Sequence, residues 1–253
     1  MKKIKVLLYI VFLGIILLNG CSKSDKPLKN PETKKEPPVQ NNQQNELSSK
    51  GKEIFYSVSE KTGLKCADCH SDGTNTANIH LKFCADIFNA NKRPSTYFGM
   101  FKGDDVPKNA GGAVLCWKRF LGMETPLTDE QISLLNAYYE FAGKGMEVKE
   151  FKFTTIALPK KDKAKLKEDQ NKIAGMQGDK VKGEKLFEDA CKFCHQKNST
   201  VKDVTNIFKN FDGDLNSIVF QIRIGSKHMQ FYPYELISDQ DIADLSSFIL
   251  GKK

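Results

Sequence analysis

The chain writes one pattern twice, and that repeat limits its fold more than any other feature. Gly51-Lys52-Glu53-Ile54-Phe55-Tyr56 stands ahead of Cys66-Ala67-Asp68-Cys69-His70, and Gly183-Glu184-Lys185-Leu186-Phe187-Glu188 stands ahead of Cys191-Lys192-Phe193-Cys194-His195. In each block a Gly leads an aromatic by four residues, which puts both on one helix face a turn apart. Downstream, Leu127-Thr128-Asp129-Glu130-Gln131-Ile132 matches Ile237-Ser238-Asp239-Gln240-Asp241-Ile242. Thr128 and Ser238 suit helix N-caps, and the acidic residues after them suit the positive end of a helix dipole. Helical apolar spacing follows through Ile132, Leu135 and Tyr138 or Tyr139, and again through Ile242, Leu245, Phe248 and Ile249. The unit is helix, cysteine motif, loop, closing helix. It predicts an all-α chain of two tandem small helical domains, residues 48–142 and 179–253, joined by a linker over 143–178.

The cysteine spacing names the chemistry. Two thiols separated by two residues reach the two vinyl groups of one porphyrin, and the adjacent His then projects at the iron, so C-x-x-C-H is a c-type haem attachment signal. Two copies predict two covalently bound haem c groups, held by Cys66, Cys69, Cys191 and Cys194, with His70 and His195 as iron ligands. A zinc ribbon needs its cysteine pairs roughly 15–20 residues apart, and a thioredoxin-like C-x-x-C needs a βαβ setting. More than a hundred residues separate these pairs, and no such setting is visible.

Gly-x-x-x-Phe, C-x-x-C-H, a Met, Ser/Thr-Asp-x-x-Ile and a closing helix with an aromatic together resemble the class I cytochrome c fold, over about 48–142 and 179–253. The resemblance implies that the first and last helices of each domain cross, Gly51 and Phe55 against Tyr138/Tyr139, and Gly183 and Phe187 against Phe248. It also implies a sixth iron ligand, which as Met raises the reduction potential relative to His. In the second domain Met229, ten residues before Asp239 with Pro233 between, matches the family's Met loop, with His228 as the alternative. In the first, Met123 of Gly122-Met123-Glu124-Thr125-Pro126 holds the corresponding place. Met100, His80 and Cys116 stay open there, because residues 84–116 have no counterpart in the second copy.

Cys84 and Cys116 remain once the haem cysteines and Cys21 are set aside. In an oxidising compartment an even remainder reads first as a disulfide, whose closure of about 30 residues is worth on the order of 3–4 kcal/mol in the chain-entropy model. The alternative is a thiolate haem ligand: Cys116-Trp117-Lys118-Arg119-Phe120 resembles the Cys-ligated haem of dihaem thiosulfate-oxidising cytochromes. Trp117 also suits a core and Arg119 a haem propionate.

Met1-Lys2-Lys3-Ile4-Lys5, an apolar run from Val6 to Leu18 and then Asn19-Gly20-Cys21 read as an export signal. The run is shorter than the roughly 20 residues a spanning helix needs. Its Leu-x-Gly-Cys end resembles a bacterial lipobox, which implies that 1–21 is a lipoprotein signal peptide and that lipid on Cys21 anchors the mature chain. Residues 22–47, rich in Lys, Pro, Asn, Gln and Glu, predict a disordered tether with a reach of about 25–30 Å. The expected location is the periplasmic side of the inner or outer membrane, and Ser22 after Cys21 resembles outer-membrane sorting.

The formal charge of +8 does not sit on the domains. Residues 48–142 and 179–253 each hold 11 Lys/Arg against 11 Asp/Glu, while the linker holds 9 against 5. A groove for a phosphate backbone, and hence a nucleic-acid partner, is not suggested. Within the linker, Phe151-Lys152-Phe153-Thr154-Thr155-Ile156 alternates like a short strand, and Lys161 to Ile173 suits a solvated helix.

The resemblance implies a membrane-tethered carrier of single electrons between redox proteins, a donor dehydrogenase or cytochrome complex and an acceptor oxidase or reductase. No catalytic acid/base pair accompanies the motifs, and the cofactor supplies the chemistry. The alternatives are a dihaem sulfur oxidoreductase using Cys116 and an electron-accepting subunit of a larger dehydrogenase.

Overall fold

Both closing helices begin where their capping chemistry dictates. Thr128 Oγ1 accepts from the Gln131 N–H at 3.2 Å while Gln131 Oε1 accepts from the Thr128 N–H at 2.9 Å. Ser238 and Asp241 make the same reciprocal pair, at 3.1 and 2.8 Å. Each box satisfies two amide groups that a helix start leaves without partners.

A computed structural model of the chain describes residues 39–74, 86–150, 162–204, 206–226 and 229–251. The order is α1 (Val39–Tyr56), a 3-10 turn at Cys66–Asp68, an antiparallel hairpin of β1 (Ser95–Thr96) and β2 (Phe101–Lys102), α2 (Asp105–Lys108), α3 (Ala113–Arg119) and α4 (Asp129–Ala142). Then come α5 (Lys163–Ala174), α6 (Lys180–Ala190), α7 (Lys192–His195), α8 (Ile207–Asn210), α9 (Leu215–Ile224) and α10 (Asp239–Leu250). The fold is mostly helical, as expected. Among the described residues no helix is long and apolar enough to cross a membrane.

Two cores form around the same crossing. In the first, α1 packs on α4, and the Phe55 and Tyr138 ring centroids lie 5.5 Å apart within a cluster that includes Ile87, Leu127, Leu135 and Tyr139. In the second, α6 packs on α10, with Phe187 and Phe248 also 5.5 Å apart among Ile218, Val219, Ile222, Ile242 and Leu245. Gly makes each crossing close. A Cβ on Gly51 would sit 2.0 Å from the Leu134 carbonyl oxygen, and one on Gly183 2.0 Å from that of Asp244, well inside van der Waals contact. Of the contacts implied by the cytochrome c resemblance, Gly51 and Phe55 meet Tyr138 and Phe187 meets Phe248, while Gly183 meets the backbone of Asp244 and Leu245. Both cores belong to one contact unit, Pro38–Lys253.

Two boundaries differ from expectation. Helix α1 starts at Val39, inside the segment 22–47 expected to be a disordered tether. Once Phe55 and the buried Ser48 fix the packed end, adding turns needs no new nucleus, and Gln43, Gln44 and Glu46 are good helix formers. Glu46 also pairs with Lys50 at 2.8 Å.

The second difference concerns the linker. Its helix α5 is not wholly solvated. It packs on α9 and α10, burying Ile173 to 1% exposure inside the second core. Asp162 caps its start by accepting from the Ala164 and Lys165 N–H groups, and Lys172 reaches Asp239 at 2.7 Å. Only one side of α5 is apolar, at Leu166 and Ile173, and the lysines between them mask it. Helix α5 thus packs as part of the second core, ahead of residue 179. The expected strand over 151–156 lies outside the described residues, as do the signal peptide and the first part of the tether.

Candidate functional site

The two cysteine motifs fold as the same single turn. The His70 N–H donates to the Cys66 carbonyl at 3.0 Å, and the His195 N–H to the Cys191 carbonyl at 3.0 Å. A turn of this kind sets both thiols of a motif on one side with the imidazole beside them. In the first motif the Asp68 carboxylate accepts from the Lys65 N–H at 3.0 Å and locks the turn from within.

Apolar surroundings define both sites. Burial pushes the thiols of Cys66, Cys191 and Cys194 up to about 12. Such a low-dielectric wall suits uncharged thioethers better than thiolates around a bare cation. Among the described residues no group of three or more His, Cys, Asp or Glu is placed to hold a metal ion alone. Two thiols and one imidazole on a turn, with an apolar wall, fit a covalently attached haem at each motif.

The sites adjoin. Leu64, Leu121 and Val201 form a buried cluster, and Cys66, Trp117 and Met123 from the first site pack on it together with Phe193 and Cys194 from the second. Strands of chain next to the motifs are bonded directly: the Lys202 N–H donates to the Thr62 carbonyl at 2.8 Å, and Lys202 Nζ reaches the Glu60 carbonyl at 2.6 Å. Cys194 lies within electrostatic reach of Cys69 and Asp68.

Met229 occupies a tight turn, its N–H bonded to the Ser226 carbonyl at 2.7 Å, and packs against the core that contains Cys191. The Tyr232 hydroxyl donates to the Ala190 carbonyl at 3.3 Å, which ties this loop to the residue before Cys191. Buried Arg223 holds the loop from the other side. It donates to the carbonyls of Tyr232 and Ile237 at 3.2 and 2.7 Å and to Asp239 Oδ1 at 2.7 Å.

Met123 sits in the cluster shared by the two sites, and Trp117 brackets its loop. The Trp117 carbonyl accepts from the Met123 N–H at 3.1 Å, while Trp117 Nε1 donates to the Thr125 carbonyl at 3.0 Å. Met100 lies at the surface. Cys116 is a free thiol, pushed well above its ordinary value by burial and by the neighbouring Cys66 and Cys69. Its expected disulfide partner Cys84 lies outside the described residues, as do Cys21, His80 and His228.

Asp72, two residues beyond His70, gave no sequence signal. Burial would push its carboxyl up, but the Tyr138 hydroxyl, the Thr74 N–H at 2.9 Å, the Tyr56 hydroxyl at 2.7 Å and the Thr74 hydroxyl outweigh that. It stays well below the usual carboxylate range and pins the chain after the first motif to α1 and α4. Arg223 and the Leu64/Leu121/Val201 cluster were also missed. A lone Arg in an amphipathic helix and isolated aliphatics in loops carry no periodicity to betray them.

Residues 178–249 match the family model described as "Cytochrome C oxidase, cbb3-type, subunit III". Over 83 residues the chain is 31% identical to "Cytochrome c6" of Diacronema lutheri, a span covering 30% of this chain and 98% of that protein. The chain belongs to the cytochrome c family. This cytochrome therefore binds haem c covalently and performs haem-based electron transfer, and its homologues are typically exported or periplasmic. No solved structure matches it.

Proposed function

We propose that this cytochrome carries two haem c groups and passes single electrons between respiratory redox proteins outside the cytoplasm, tethered to a membrane through lipid on Cys21. The observation that carries the reading is the shared wall: both C-x-x-C-H turns abut the cluster of Leu64, Leu121 and Val201. Haem c supplies the one-electron chemistry. Cys66 and Cys69 hold one group with His70 on its iron, and Cys191 and Cys194 hold the other with His195. Met229 completes the second site and Met123 the first, and methionine there favours the reduced state relative to histidine. The apolar residues around the motifs would limit the access of water to a bound haem and so the solvent reorganisation that a one-electron change requires. The lipid and the residues that follow it keep the folded body at the membrane face, where a donor dehydrogenase or cytochrome complex and an acceptor oxidase or reductase meet it.

The test is spectral. In the oxidised protein the near-infrared sulfur-to-iron band should carry contributions from two haems, one lost in Met123→Ala and the other in Met229→Ala. A band that Met123→Ala leaves untouched contradicts the first assignment.

A second reading, a thiosulfate-oxidising dihaem enzyme, draws support from Cys116, whose half-buried thiol is within electrostatic reach of Cys66 and Cys69. It predicts a low-spin signal at the first haem that vanishes in Cys116→Ser, together with steady-state oxidation of thiosulfate. The carrier reading predicts neither.

A further inference from the structure

Among the described residues the hairpin of β1 and β2 has no counterpart in the second copy, and its tip is strained. Tyr97 and Phe98 are consecutive bulky residues at φ +51° and +55°. That left-handed conformation is unfavourable for such side chains and persists only where the surroundings impose it. Here two sets of contacts impose it. Tyr97 packs on Gly112, immediately ahead of α3, where a Cβ would lie 3.3 Å from the Tyr97 Cβ and Cδ2 atoms. Helix α3 carries Cys116 and Trp117, the latter holding the Met123 loop. The Phe98 ring lies edge-on to Tyr97 at 6.1 Å and packs against Phe231, with ring centroids 4.9 Å apart at 46°.

Phe231 lies two residues beyond Met229 and is only 5% exposed, yet it is not one of the residues of the second core. Its cover includes the ring of Phe98, from the other half of the molecule. Neighbouring Tyr232 does belong to that core, so the chain after Met229 is gripped from both sides, by its own core and by the foreign hairpin.

We propose that the hairpin 95–102 is a clamp through which the first haem site holds the sixth-ligand loop of the second, with Phe98 on Phe231 as the positioning contact for Met229. The proposal rests on the reading of Met229 as an iron ligand. Loss of the Phe98 ring frees one side of the loop, and local opening of such a segment sets how fast an external ligand captures the iron.

The experiment uses the full chain with its haems attached and imidazole as the probe. The axial-methionine methyl resonances of the reduced protein assign the sites, since Met229→Ala removes the resonance of the second. In Phe98→Ala, imidazole should capture the second haem roughly tenfold faster, the scale of one lost aromatic pair and its burial. The first haem should keep its wild-type rate. Phe98→Leu, which retains apolar bulk, should recover most of the difference, and Lys167→Ala, on the exposed side of α5, should change nothing. A wild-type rate in Phe98→Ala, or an equal rise at both haems, overturns the clamp while leaving the ligand assignment intact. If Met229→Ala keeps every methionine resonance, the assignment itself fails and the clamp falls with it.

Discussion

Gly183 and Asp244 touch backbone to backbone: a Cβ on Gly183 would lie 2.0 Å from the Asp244 carbonyl oxygen, as one on Gly51 would from that of Leu134. Neither carbonyl can move without breaking the closing helix it belongs to. Gly51→Ala and Gly183→Ala should each cost about 3 kcal/mol or more, read by chemical denaturation of the holoprotein. No loss, or a gain of up to about 1 kcal/mol as is ordinary for Gly-to-Ala in a helix interior, would show that the helices do not cross this closely.

Trp117 closes the Met123 loop with its indole N–H on the Thr125 carbonyl. Trp117→Phe keeps the ring and removes that bond, worth about 1 kcal/mol. On the proposed assignment of Met123 as the first haem's ligand, the pH at which hydroxide or a lysine displaces it should fall by about 0.7 unit, since one unit corresponds to about 1.4 kcal/mol. An alkaline transition identical to wild type would detach Trp117 from the ligand loop.

Asp239 gives the stability a pH dependence of known sign. Burial pushes its carboxyl up, but Lys172 and Arg223 together outweigh that and lower it. A carboxyl depressed in the folded state contributes its full stabilisation above its unfolded value of about 4 and loses it as pH falls through the folded value. Asp239→Asn should therefore cost about 3 kcal/mol near pH 7, because it leaves Arg223 buried without its partner charge. The gap to wild type should close as the pH drops below about 4. A gap that stays constant between pH 7 and pH 3 contradicts the ion pair.

Helix α5 belongs to the second core through Ile173. Ile173→Ala should cost about 3 kcal/mol and open Lys163, Lys165, Lys167 and Lys172 to trypsin. Equal digestion of the variant and the wild type would return α5 to a loose strap.

These features differ in how visible they were in the sequence. The caps at Thr128 and Ser238 and the two cysteine turns were legible because each depends on residues at fixed short spacing, whereas the crossings at Gly51 and Gly183 came only from the resemblance to class I cytochromes c, since spacing by itself gives no more than the apolar faces. Helix α5 was visible as a helix, but its burial was not, since only Leu166 and Ile173 face the core amid lysines. The start of α1 was hidden because polar residues suit both a tether and a helix extended from a packed end. Least legible was the junction of the sites. Leu64, Val201, Phe98 and Phe231 come from loops without periodicity, and only the fold brings residues more than a hundred positions apart into contact.

The central claim is that both motifs carry haem, and the intact mass of the mature protein tests it most directly. Two covalently bound haem groups on one chain, reduced to a single group in Cys66→Ser/Cys69→Ser and likewise in Cys191→Ser/Cys194→Ser, is the predicted result. A wild-type chain that carries one haem would contradict it.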